Sequence, residues 1–291
     1  MGFFDFIKKW IPTNIQNVVY NSTAAIREIT PQLEKGKASP PSNYKLIFED
    51  DFSKRFLDKT KWVPSQPWGE FHADYLYRWW PQDETALSIE NGTLRLDLRY
   101  FPKTYIKSKL PKWQQTDKLP DEFTIDHAVG LVRTKEQFKY GWFEADIKLP
   151  KQKNQWTAFW LMSKEQWPPE IDIFEAFAPN NAKDINIESN IHYGTQDGKK
   201  VLGAKATPTQ DPTDRFVNYA CHWTEDFVRF YIDGFLVREV TDKEILKDLS
   251  EVPQYLILNN GVKNDPKGFK YYSVMEVDNV KIYQNERTIL A

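Results

Sequence analysis

The stretch WPPEIDIFEAF, Trp167–Phe177, decides how this chain folds. Glu170 and Asp172 are two residues apart and share one face of a β-strand, whereas Glu175 lies five beyond Glu170 and falls on the other. A helix is the competing reading, because Pro168 and Pro169 followed by acids resemble a first helical turn. Against it, Ile171 and Ile173 alternate with the acids, the segment is short, and its neighbours on both sides read as strands. The pattern predicts a strand with a β-bulge near Phe174. One extra residue there restores the parity, turning Glu175 onto the face of Glu170 and Asp172 while Ile171 and Ile173 point to the core.

Working outward, the chain from Tyr44 onward reads as short alternating runs closed by turns. LSIENGTLRLDL (87–98) and VRFYIDGFLVREV (228–240) carry Asn91-Gly92 and Asp233-Gly234 between apolar flanks, the pairs that supply positive φ to two-residue hairpins. Further strands are predicted in YGWFEADIKLP (140–150), NQWTAFWLMS (154–163), INIESNIHYG (185–194), QYLILNNGV (254–262) and SVMEVDNVKIYQ (273–284). Helix is expected only at the N-terminus and around TDKEILKDLS (241–250). Many short antiparallel strands imply an all-β sandwich or jelly roll. The segment RYFPKTYIKSKLPKWQQTDK (99–118) reads as a basic insertion, expected as a long surface loop.

Composition narrows the function. With 291 residues, 41% hydrophobic and 15% aromatic, the chain can bury one large core, and one main domain is the default. A formal net charge of -2 provides no basic field for nucleic acid. Cys221, the only cysteine, excludes an intramolecular disulfide and a thiolate metal cluster. No segment approaches the roughly 20 apolar residues of a membrane span. Phe3, Phe6, Ile7, Trp10 and Ile11 recur at helical spacing, which fits an amphipathic helix docked on the protein's own body, on a partner or on a membrane surface. The stretch EKGKASPPSN (34–43) reads as a linker. Residues 1–43 are thus expected as an extension and linker, and 44–291 as the main domain.

Three acids in one row cannot all ionise cheaply, so mutual repulsion is expected to leave one glutamate protonated near neutral pH. Across such a groove, two glutamates leaning together suit double displacement at a sugar, which needs about 5–5.5 Å between carboxyl groups. Spacing alone also fits a solvated acidic face. Trp156 and Trp160 share parity on the preceding strand, and Asn190 and His192 on the following one, giving a floor of aromatics, acids and an imidazole. His192 there has a reason to hydrogen-bond Asp172 or Glu170.

These residues carry a resemblance. EIDIFE (170–175) is similar to the bulged Glu-x-Asp-x-x-Glu signature of glycoside hydrolase family 16, the β-jelly-roll endo-glycanases that include laminarinases, agarases and carrageenases. From about 44 to 285 the segments fall in that family's order. The resemblance implies two curved antiparallel sheets with a concave substrate cleft, and a retaining endo-glycosidase. It implies Glu170 as nucleophile, Glu175 as acid/base and Asp172 as the auxiliary acid. It places Trp156, Trp160, His192 and Asn259 along the cleft, where strand parity also puts Asn190. It also implies a structural Ca²⁺ held by Asp51, the Gly92 carbonyl and Asp278, with no organic cofactor; hard oxygen ligands suit that ion. The chain departs from the pattern at Pro169, where laminarinases usually have Gly, and at Asp146, where a basic residue is expected.

The expected partner is a polysaccharide, either a β-1,3-glucan or a marine galactan, acted on by a monomer. Arg99, Lys103, Lys107, Lys109 and Lys112 could grip sulfate esters if their segment borders the cleft, or simply be a solvated loop. A lectin-like binding module and a transglycosylase are the alternatives.

Overall fold

The computed structural model describes residues 37–67, 72–73, 78–81, 86–110, 112, 115, 117, 119–151, 155–177, 186–195, 198–206, 211–262 and 270–286. The expected N-terminal helix lies outside them. In chain order the first strands are β1 (Tyr44–Asp50), β2 (Trp62–Val63), β3 (His72–Ala73), β4 (Arg78–Pro81), β5 (Leu87–Glu90) and β6 (Thr93–Ile106). Then come β7 (Glu122–Val129), β8 (Leu131–Thr134), β9 (Gly141–Lys148), β10 (Trp156–Met162), β11 (Glu170–Phe177) and β12 (Asn186–Tyr193). The last are β13 (Lys200–Ala206), β14 (Val217–Trp223), β15 (Val228–Ile232), β16 (Phe235–Val240), β17 (Tyr255–Asn259) and β18 (Tyr272–Asn285). Among the described residues one α-helix, α1 (Lys243–Leu249), is present, and it joins β16 to β17.

They form two sheets. One runs β16-β15-β14-β9-β18-β6-β7-β4-β3, with β1 on β18 and β5 on β6; the other runs β13-β12-β11-β10-β17-β8-β2. All pairings are antiparallel except β4 with β7. Both predicted hairpins turn where expected, with φ of 54° and 74° at Asn91 and Gly92 and 53° and 80° at Asp233 and Gly234. The helix forms in the predicted segment because Asp242 caps it, accepting from the Glu244 and Ile245 amides, and because Ile245, Leu246 and Leu249 share a buried face.

Between the sheets lies one large core. Phe159, Leu161, Ile171, Ile173, Phe174 and Ile191 contribute from the seven-stranded sheet, and Leu94, Phe143, Tyr219 and Phe230 from the other. A second cluster sits on the opposite, concave face of the seven-stranded sheet, where Trp160, Met162 and Ile257 meet Leu98, Val129 and Tyr271. The β6–β7 end of the larger sheet therefore curls round to wall the groove.

One expectation is corrected. Residues 99–106 are not a surface loop but the continuation of the 14-residue β6, paired with β7 as far as Ile106↔Glu122. A register shift between Tyr100 and Lys103, which interrupts the alternation, explains the miss. Tyr105 turns inward against Phe123, Ile125 and Leu119 in a core of its own, while the lysines between made the segment look solvated.

Gly130 is the single residue between β7 in one sheet and β8 in the other. Its amide donates to the Asp97 carbonyl at 2.5 Å, and its own carbonyl accepts from Asn260 at 3.0 Å. A Cβ there would lie 2.4 Å from the Leu96 Cα and 2.5 Å from the Ala86 oxygen, both backbone atoms that have no rotamer to yield. We expect Gly130→Ala to destabilise the fold by about 3 kcal/mol or more, read as a lowered urea midpoint.

Candidate active site

The bulge lies where the acid spacing requires it. Along β11–β12 the pairs run Asp172↔Asn190 and then Glu175↔Glu188, three residues on one strand against two on the other. On the β10 side, Phe159 pairs with Phe174 and Trp160 with Asp172, which leaves Ile173 as the extra residue. Ile173 and Phe174 both enter the core, so Glu175 returns to the face of Glu170 and Asp172.

Cross-strand pairing then arranges the groove floor in rows. One row contains Tyr255, Met162, Glu170 and His192; the next Arg133, Ile257, Trp160, Asp172, Asn190 and Gly203; the third Asn259, Ala158, Glu175 and Glu188. The acids occupy β11, the third strand from the β13 edge, flanked by the aromatics of β10 on one side and by the polar side chains of β12 on the other.

Each acid has a different surrounding. Glu170 accepts from the Trp167 indole at 2.7 Å, and its other oxygen lies 3.5 Å from His192 Nε2. Asp172 is only 2% exposed, with one oxygen 3.3 Å from the same nitrogen. Burial, then the charges of Glu170 and Glu175, then a hydrogen bond to Glu170 hold its carboxyl well above the usual range, which favours the protonated form. Glu175 accepts from the Trp156 indole at 2.7 Å and from Asn190 Nδ2 at 2.5 Å. Its pKa is also raised, chiefly by burial, against the opposing pull of those two donors and of His192. A carboxyl that holds a proton in a water-poor site can deliver it to a leaving oxygen.

The predicted cleft residues divide by contact. Trp156 and His192 touch the acids directly. Asn190, 1% exposed, is a holder of Glu175, and Asn259, 4% exposed, accepts from the Trp160 indole at 2.8 Å. These two asparagines fix other side chains.

Several site residues were not singled out in the sequence. Trp167, beside the prolines, orients Glu170. Glu188 is a fourth, buried carboxylate opposite Glu175. Gly203 makes room for Asn190, since a Cβ there would stand 2.6 Å from Asn190 Oδ1. Arg238 of β16 crosses the core from the other sheet and donates to the Ser189 carbonyl at 2.5 Å, the Ser189 hydroxyl and the Leu202 carbonyl at 2.9 Å. Ser189 stands opposite the bulge. Burial pulls the Arg238 guanidinium down to about 10, opposed by the charge of Asp172. Its signal was available in FLVREV, where Arg238 shares the inward parity of Val240.

On the outer face, Asp51 accepts from the Ser53 amide and hydroxyl at 3.1 and 2.7 Å. Asp278 is raised by its partial burial and then by the charges of Asp146 and Asp51. Gly92 occupies the hairpin turn. Acids gathered in this way are oxygen donors whose mutual repulsion a divalent cation would relieve.

Because the folded-state pKa of Asp172 is raised, its burial is tolerated at low pH and stability is lost as pH rises through that value. Asp172→Asn keeps the shape without the charge. Its melting temperature should match wild type near pH 4 and exceed it increasingly toward pH 8; parallel curves would exclude a raised Asp172.

Endo-1,3-1,4-beta-glycanase EglC of Rhizobium meliloti (strain 1021) is 28% identical over 165 residues, covering 54% of this chain and 34% of its own. The chain thus spans about a third of that relative. Beta-glucanase of Rhodothermus marinus is 26% identical over 286 residues, covering 87% of this chain and 89% of the relative. Among solved structures, SCLam, a non-specific endo-beta-1,3(4)-glucanase, superposes with a TM-score of 0.63 at 25% identity over 86% of this chain and 95% of its own. Residues 74–260 match the model of glycosyl hydrolases family 16, and the chain belongs to that family.

Proposed function

We propose that the protein is an endo-acting, retaining hydrolase of a β-linked polysaccharide, a β-1,3-glucan or a galactan. The observation that carries it is the common face of Glu170, Asp172 and Glu175, with the carboxyl of Glu175 raised by burial. In the first half-reaction Glu170 attacks the anomeric carbon while Glu175 gives its proton to the departing sugar oxygen. In the second, Glu175 takes a proton from water, which attacks the same carbon and releases Glu170. The raised carboxyl of Asp172, when it carries its proton, donates to Glu170 and limits the negative charge between the two glutamates. The open groove walled by β6 and β7 suits an interior segment of a chain. The names of EglC and SCLam favour a backbone with 1,3 links.

A lectin-like module on the same fold would not need one acid held protonated beside another that is free to attack. Transglycosylation differs only in the acceptor, a sugar instead of water. We further propose that Asp51, Asp278 and the Gly92 carbonyl hold a structural Ca²⁺, which would offset the like charges there and tie hairpin to sheet. The same reading sets the catalytic unit at residues 44–291, behind an extension of 43, and the enzyme as a monomer.

Laminarin, agarose and κ-carrageenan separate the substrates by reducing-end release. Inactivity on all three overturns the substrate assignment, and inverted product configuration by proton NMR overturns the mechanism. Glu170→Gln should lower kcat by about a thousandfold or more while retaining oligosaccharide binding. Added Ca²⁺ should raise the melting temperature of wild type but not of Asp278→Asn; equal responses would remove the metal assignment.

A further inference from the structure

The two candidate substrates differ in charge, and one side chain of the groove floor answers to that difference. Arg133, on β8, pairs with Ile257, whose side chain packs beside Trp160, so Arg133 shares the concave face with the acids. Its guanidinium lies 4.5 Å from the centre of the Tyr255 ring, itself in the row of Glu170. It donates to the Thr134 carbonyl at 3.2 Å, while its Nε is buried without a partner. Among the described residues no carboxylate pairs with it, and Tyr255 is the one ionisable group whose field it feels.

A half-buried guanidinium without an anion is costly, because water has been removed and no counter-charge supplied. The basic segment suspected of meeting sulfate is differently placed. Arg99 stands 3.9 Å from Asp97, and Lys107 donates to the Leu119 carbonyl at 3.0 Å. Arg133 is separated from Asp172 by three strand-to-strand steps, roughly 14 Å at about 4.8 Å each. That exceeds the screening length of about 8 Å in physiological salt, so an anion held at Arg133 escapes repulsion from the acid row. The planar fork, backed by the Tyr255 ring, matches two oxygens of a sulfate ester or a carboxylate.

We infer that Arg133 is a specificity-determining residue which pairs with an anionic substituent, sulfate ester or carboxylate, on a sugar remote from the bond being cleaved. The inference rests on the glycanase reading of the groove and adds the charge of its substrate. A neutral glucan leaves this guanidinium with hydroxyl groups alone, which do not compensate its lost hydration as an anion would.

The test uses the full chain carrying Glu170→Gln, with and without Arg133→Gln, and calorimetric affinities at about 50 and about 200 mM NaCl. The ligands are κ-carrageenan oligosaccharides and their desulfated form, and carboxymethyl-laminarin oligosaccharides and plain laminarin oligosaccharides. Arg133→Gln should weaken a charged ligand about tenfold and flatten its salt dependence, leaving the matched neutral ligand within about twofold. Loss confined to the sulfated ligand assigns a sulfate ester, loss confined to the carboxymethylated one a carboxylate, and loss of both a site for either. Equal weakening of charged and neutral ligands, no weakening, or charged ligands that bind no tighter than neutral ones to the chain retaining Arg133 overturns the inference. Hydrolysis distinguishes this from failure of the underlying reading: wild-type enzyme that cleaves laminarin while Arg133 is silent loses only the anion site, whereas wild type inactive on every polysaccharide loses the glycanase reading.

Discussion

One additional residue in β11 sets the terms for the rest of the structure. Side chains on a strand alternate strictly, so without the offset at Ile173 and Phe174 the third acid would be pressed into the sandwich core. The offset has an energetic setting on both sides. Toward the core it sends two consecutive apolar side chains, Ile173 and Phe174, the second of which packs on Phe159 and Tyr219. Toward the groove it brings three carboxyl groups together, a crowding relieved by proton retention on Asp172 and by N–H donors on the outer two. Apolar packing thus stabilises a backbone irregularity whose product is an electrostatically strained row.

The surrounding architecture serves that row. Antiparallel pairing carries Trp156, Trp160, Asn190, His192 and Asn259 to fixed lateral distances from the acids. The donors on Glu175, an indole and a carboxamide, each come from an adjacent strand, so both are positioned by the same ladder that positions the carboxyl. Rigid placement on strands is what permits proton transfer without reorganisation at the moment of reaction. Gly130 lets the chain pass directly from the outer sheet to the inner one, joining wall to floor at a single residue.

Much of this was legible in the residues because it depends on local periodicity. The bulge follows from counting Glu170, Asp172 and Glu175 against Ile171 and Ile173, and the two hairpins from Asn-Gly and Asp-Gly. The helix follows from Asp242 preceding an apolar stripe. What escaped depends on contacts distant in sequence. Arg238 and Ser189 are 49 residues apart, and nothing near either names the other. Gly203 reads as an ordinary small residue until Asn190 is set above it. The β6 extension was obscured because its lysines resemble a solvated loop and because a register shift between Tyr100 and Lys103 breaks the strand's period between Leu98 and Tyr105. Asn190 was placed on the groove floor by strand parity and Asn259 along the cleft by resemblance; three-dimensional packing gives them the task of holding Glu175 and Trp160.

Arg238 has a consequence for how this molecule can change over evolutionary or engineering time. Its strand belongs to the sheet away from the groove, in a position where replacement by a greasy residue would normally harden a protein against heat. Here the guanidinium grips carbonyls on the strand that faces the bulge and adds positive potential behind Asp172. Thermal robustness and turnover therefore compete at a site that a surface map of the cleft would never include, and drift in the distal sheet is constrained by chemistry performed on the other side of the sandwich.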